Sequence, residues 1–253
     1  MHDASFIDEA SARRELAACY RLFDHMGWTE AIFNHITLRV GLDATMQTQP
    51  AHYLINPFGL HYAEVNAGNL VKIDVGGRVI GSSDYPINPA GFVIHGAIHS
   101  ARPDAHCVMH VHTTAGCAVA CKASGLRHDN FYSAMLWGQV AYHDFEGVTT
   151  GLDEQPRLVA SLGDKACLIL RNHGLLVVGG SVAEAFQRLW TLQRACEVQL
   201  ASDAGLGPNL PVPQSVLERI PATRQGMKVG QQSNDQRMFD ALLRRAGIRR
   251  EAL

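Results

Sequence analysis

Residues 166–179, ACLILRNHGLLVVG, are apolar almost from end to end, and this feature constrains the fold more than any other. Leu, Ile and Val gathered at strand length read as β-structure, and so few polar side chains require helices to cover them. The run has one break, Asn172-His173-Gly174, whose polar groups need partners once buried. Other strands read at residues 34–40 (NHITLRV), 52–58 (HYLINPF) and 106–112 (HCVMHVH), and LVKIDV and RVIG flank Gly76-Gly77 as a short hairpin.

Helical spacing puts Ala12, Leu16, Cys19, Leu22 and Phe23 on one stripe of residues 8–26, with Gly27 as the stop. Ile94, Ala97, Ile98 and Ala101 define a helix over 91–101 that ends ahead of Pro103; His95 and His99 share a face of it. TAGCAVACKAS reads as a further helix, and Ser181 with Glu184 makes a capping box for a long one striped by Ala185, Leu189, Leu192, Cys196 and Leu200. Strands and helices without strict βαβ alternation predict an α/β domain with a largely antiparallel sheet. GLGPNLPVPQSV is a connector, so residues 1–212 read as one domain. Residues 213–253 read as a C-terminal tail whose short amphipathic helix, MFDALLRRAGI, packs on the surface or on a neighbouring subunit.

Twenty-two Lys and Arg against 24 Asp and Glu leave a formal charge of −2, so no global field draws in nucleic acid or anionic lipid. No run approaches the roughly 18 apolar residues of a membrane span, and the opening MHDASFIDEASARREL lacks the apolar core of a leader. The expectation is a cytoplasmic protein that handles a small molecule and has neither a nucleic-acid nor a membrane partner. Six cysteines lie in apolar stretches without a CxxC pair, as buried reduced thiols do. Neither GxGxxG nor GxxxxGK[ST] is present, so nucleotide-cofactor chemistry has no support.

Thirteen histidines remain to be explained. On a strand, His110 and His112 project from one face while Met109 and Val111 point to the other. His173 sits at the polar break in the longest apolar run. Three neutral imidazoles would hold a divalent metal with a coordination position open to substrate, as in catalytic zinc sites. Spacing leaves open the alternative that each is a hydrogen-bonded interior histidine.

The segments WTEAIFNHITLRV, YLINPFGLHYAEV, INPAGFVIHGAIHSARPDAHCVMHVHTTAG and LILRNHGLLVVGGSVAEAFQRLWTLQRACE, between residues 28 and 197, resemble the class II aldolase/adducin family. The wording is nearest to its adducin-like branch. The resemblance implies a three-layer α/β/α fold with a mostly antiparallel central sheet, and a ring-like homotetramer with sites between neighbouring subunits. It assigns the metal, zinc first with manganese or iron as alternatives, to His110, His112 and His173. The family's Ser-Ser-Glu falls on Pro89, Ala90 and Gly91, so the carboxylate that moves a C–H proton is missing. Family phosphate contacts fall on Asn34-His35-Ile36-Thr37, Phe58-Gly59 and Pro89-Ala90, mostly without their donors, which implies a non-phosphorylated carbonyl or carboxylate ligand lined by His35 and Gly59.

The chemistry implied is that of a metal-dependent carbon–carbon lyase, an aldolase or decarboxylase working through a metal-stabilised enolate. Loss of CO2 needs no base at Gly91, only a later proton donor, for which His95 and Tyr132 are the candidates, Tyr132 coming from the next subunit. His61, His99, His128 and His143 read as surface or structural. The alternatives are an iron-dependent oxygenase on the same scaffold and a non-enzymatic, adducin-like interaction module.

Overall fold

The alternating runs form strands β1 (His35–Val40), β2 (His52–Ile55), β3 (Val71–Asp74), β4 (Cys107–Val111), β5 (Val140–His143), β6 (Cys167–Leu170) and β7 (Gly174–Gly179). The computed structural model describes residues 8–41, 52–148, 151–226 and 232–253; residues 1–7, on which the reading of a leader-free opening partly falls, lie outside the described residues. Among the described residues the strands make one sheet in the order β3-β2-β1-β4-β7-β6-β5. All pairings are antiparallel except that of β5 with β6.

The two-residue pleat sorts side chains between two helical layers. Cys107, Met109 and Val111 of β4 join α1 (Glu9–His25) and α6 (Val182–Asp203) through Leu16, Phe23, Phe186 and Leu189 in the larger core. α3 (Thr114–Ala120) covers the same face. Val108 points the other way, to Ile94 and Ile98 of α2 (Pro89–Ala101) and to Leu158 and Leu162 of α5 (Gln155–Leu162). α4 (Phe131–Met135) lies against α6. The result is the three-layer α/β fold with a mostly antiparallel sheet that the resemblance implied. No helix of the described residues is long and apolar enough to cross a membrane.

Several local expectations change. The apolar run at 166–179 is two strands, not one interrupted strand: Leu170 pairs with Gly174, and the chain reverses through Arg171, Asn172 and His173. Asn172 takes a left-handed φ of 56°, a conformation that Asn adopts more readily than most residues. The second arm of the Gly76-Gly77 hairpin reduces to a bridge from Val79 to Ile73. α2 starts two residues early because Asn88 caps it, accepting from the Ala90 amide at 3.1 Å, and Pro89 supplies the first helical position. α3 stops at Ala120.

The connector ends in the short helix α7 (Gln214–Leu217), and α8 (Ile220–Gly226) follows. Beyond it, α9 (Asn234–Ala246) does not stay on the surface: Phe239, 0% exposed, packs edge-on to Phe186 with ring centroids 5.3 Å apart in the larger core, and Leu243 is buried there too. Arg250 then bonds Glu15 of α1 and Asp240.

The Tyr20 hydroxyl ties α1 to the sheet where the β1–β2 ladder stops. Thr37 pairs with Ile55, so Ile36 and Asn56 would come next, yet both of their amides donate to Tyr20 Oη, at 2.9 and 3.1 Å. The hydroxyl returns its own proton to the Ile36 carbonyl or to Asn56 Oδ1. Tyr20→Phe orphans two buried amides, and we expect a loss of about 2–4 kcal/mol in unfolding free energy with the fold retained, measured by chemical denaturation.

Candidate metal centre

β4 and the turn between β6 and β7 bring three histidines together at one end of the sheet. His110 shares its face with Val108 and donates from Nδ1 to the Leu175 carbonyl at 3.0 Å. A carbonyl only accepts, so the ring's lone pair is on Nε2. His112 follows the end of β4, its Nε2 2.8 Å from that of His110. His173 comes from the turn, and one ligand atom from each of the three lies within 4.8 Å of the others. Ring centroids are 4.6, 4.8 and 4.7 Å apart for the three pairs.

Gly174 makes this approach possible. A Cβ there would stand 2.5 Å from the Val111 carbonyl oxygen and 3.0 Å from Cδ2 of His112, so only a glycine lets β7 begin against the end of β4. Cys117 Sγ donates to the His173 carbonyl at 3.0 Å, which steadies the turn. Burial, reinforced by charge on His112 and His173, holds His110 far below the ordinary imidazole range. Burial lowers His112 against the opposing pull of Glu30 and, with His112, takes His173 to about 4. The rings are thus neutral, the form that ligates. Three neutral imidazoles, one aimed by a backbone carbonyl, fit a divalent cation such as zinc.

His35 lies directly opposite His110 across the β1–β4 ladder, with ring centroids 5.2 Å apart. It fills the space at Gly91: a Cβ there would be 2.9 Å from Cγ and Cδ2 of His35. His95 does not reach the three-histidine cluster. Its Nε2 lies 3.0 Å from Nδ1 of His35 and its Nδ1 2.8 Å from Thr37 Oγ1, so both nitrogens are engaged one layer back. Thr37 Oγ1 also meets His99 Nε2 at 2.7 Å, and His99 Nδ1 donates to the Ala105 carbonyl at 2.7 Å.

His99, read as surface or structural, is therefore buried at the end of a polar chain. The signal was present in two periodicities, His35 with Thr37 on β1 and His95 with His99 on α2, but neither states that the two faces meet. Gly59 turns the chain after β2 at a φ of 103°, with open space where a side chain would stand. Tyr132 packs within its own chain, edge-on to Trp190 at 5.7 Å and under the Arg194 guanidinium, contacts that do not include the histidines.

Three histidines gathered at the end of a mostly antiparallel sheet, between two helical layers, are an arrangement of the class II aldolase type. The chain belongs to the class II aldolase/adducin family: residues 14–200 match the model for the Class II Aldolase and Adducin N-terminal domain. It is 45% identical over 202 residues to alpha-adducin of Rattus norvegicus, a match over 79% of this chain but only 26% of that protein. It superposes with a TM-score of 0.86 on an aldolase II superfamily protein from Pseudomonas syringae, at 40% identity over 97% of this chain and 96% of the other. The L-fuculose 1-phosphate aldolase of Glaciozyma antarctica superposes at 0.78, with 27% identity over 94% and 91% of the two chains.

Gly174→Ala drives a methyl group into backbone, and we expect it to cost about 1–3 kcal/mol and to weaken metal uptake, read by denaturation and by metal titration. A second expectation concerns pH. Burial, the largest influence on it, holds His99 at about 3, so the unfolded chain takes up the proton first. This histidine's contribution to stability is complete above about pH 6.5 and falls by about 1.4 kcal/mol per pH unit as pH drops toward 3. Denaturation between pH 7 and about 4.5 checks the slope, which His99→Gln flattens.

Proposed function

We propose that this chain is a metal-dependent carbon–carbon lyase of the aldolase or decarboxylase type, acting on a small, non-phosphorylated hydroxy- or oxo-carbonyl or carboxylate compound. The convergence of His110, His112 and His173 within 4.8 Å carries this reading. His110, His112 and His173 would hold zinc, or manganese or iron in its place, which would supply Lewis-acid polarisation of a carbonyl or hydroxyl oxygen on the substrate.

The chain's own side chains do the rest. The Leu175 carbonyl keeps the His110 ring in its ligating tautomer. Gly91 brings no carboxylate, which favours reactions that start by breaking a C–C bond rather than by removing a C–H proton. Pro89 and Ala90 offer no side-chain donor, which favours a ligand without phosphate. His35 and the open turn at Gly59 line the pocket, and His95 acts through His35. Tyr132 reaches a reacting carbon from a neighbouring subunit in a homotetramer, where it serves as proton donor. A cytoplasmic location belongs to the same reading.

A second reading, a non-enzymatic interaction module, is favoured by the identity to alpha-adducin together with Gly91. Metal analysis of protein purified without an affinity tag separates the two. The lyase reading expects near-stoichiometric metal, lost in His110→Ala and in His173→Ala; metal-free protein that folds normally supports the module. With metal present, release of CO2 or aldehyde from a panel of hydroxy and oxo carboxylates is the expected activity, and oxygen uptake without release would point to an iron oxygenase.

A further inference from the structure

Four polar side chains and one carbonyl run in single file behind the candidate metal centre. From the far end they are the Ala105 carbonyl, His99, Thr37, His95 and His35, joined at 2.7, 2.7, 2.8 and 3.0 Å. All four side chains are buried, and among the described residues none of the three imidazoles is hydrogen-bonded to a carboxylate, so each ring carries one proton and one lone pair.

The direction of the file then follows from its last member. The Ala105 carbonyl can only accept, so the His99 proton is on Nδ1 and its Nε2 is bare. Thr37 has one hydroxyl proton, and the bare Nε2 of His99 takes it. The Thr37 oxygen is left as an acceptor for a proton on Nδ1 of His95. His95 Nε2 is in turn bare and accepts from Nδ1 of His35. The opposite direction would set a bare His99 Nδ1 against a carbonyl oxygen at 2.7 Å, two lone pairs facing each other in a buried place. Only one polarity satisfies every atom, and it leaves Nε2 of His35 bare. No hydrogen-bond partner meets that atom among the described residues.

We propose that His35 is the ligand-selecting acceptor of this site: the file fixes its tautomer, and its bare Nε2, on a ring beside His110, accepts a hydrogen bond from a ligand hydroxyl and disfavours a carboxylate or phosphate oxygen in the same place. The ring stands there because Gly91 leaves it room; any larger residue would collide with it. The ligand class is a hydroxyl-bearing compound whose hydroxyl lies next to the group the metal would engage. His35 touches the ligand, whereas Thr37, His95 and His99 position it. The ligand half of this inference rests on the metal centre of the proposed function; the tautomer half does not.

The test uses the full chain labelled with [15N]histidine, with the His35 signals assigned from their loss in His35→Asn. Long-range proton–nitrogen correlation should give a protonated Nδ1 and a bare Nε2. Thr37→Val removes the hydroxyl at nearly constant shape and should shift His35 to a mixture of tautomers, while Thr37→Ser keeps the wild-type pattern. In parallel, calorimetry of the metal-loaded protein compares acetohydroxamate with its 2-hydroxy analogue. The analogue should bind about tenfold tighter, a preference lost in Thr37→Val and kept in Thr37→Ser. A protonated Nε2 in the wild type, an unchanged tautomer in Thr37→Val, or equal binding of the two hydroxamates overturns the proposal. Failure of both to bind overturns the metal reading and the ligand half with it, and is told apart because the nitrogen signals still report the file.

Discussion

β7 begins so near the end of β4 that only a hydrogen atom fits between Gly174 and the Val111 carbonyl. Four consecutive residues depend on that contact. Asn172 bends the backbone into the left-handed region, His173 projects from the reversal, Gly174 permits the approach, and Leu175 presents the carbonyl that orients His110. A side chain at 174 would force the strands apart at their ends, and the three rings would separate with them. Strand pairing and the candidate centre are therefore one feature at the level of packing.

The two faces of the sheet do different work. The face under α1, α6 and α9 is apolar from β1 to β6 and holds the larger core. The face under α2 and α5 is apolar toward β6, where Ile94, Ile98, Val108 and Leu168 meet, and again on β2 and β3, where Tyr53, Ile55, Val71 and Ile73 cluster. Toward β1 it is polar, with His35, Thr37, His95 and His99 buried together. Such a group would be costly with any member unpaired; satisfied in series, it fixes each ring and stiffens the wall next to the centre. Membership of the class II aldolase/adducin family accounts for the scaffold, and Gly91 is what leaves this wall room for the His35 ring.

Much of the architecture was legible in residue periods. HCVMHVH alternates, and its odd and even positions do face different layers. The stripe on α1 buries as its spacing predicts. What misled was ambiguity of form: a polar triplet ending in glycine marks a strand break or a tight turn equally well, and only the pairing of Leu170 with Gly174 tells them apart. Periodicity placed His95 and His99 on one face of α2 but could not say that β1 lies against it, so His95 read as a proton-donor candidate with no sign of its contact with His35. Tyr20 gave no sign, because a tyrosine within an apolar stripe looks like core until its hydroxyl is found between two strand amides. The order of the layers came from family likeness, since hairpins and helices in this mixture do not dictate which face each helix covers.

α9 carries one more implication, for how the chain is made. Phe239 packs on Phe186, and Arg250 reaches back to Glu15, so the larger core stays unsealed while the polypeptide emerges from the ribosome. α1 and α9 must find each other across more than two hundred intervening residues, and contacts so distant along the chain close slowly. A nascent protein of this design exposes the apolar surface around Phe186 until α9 has emerged to cover it.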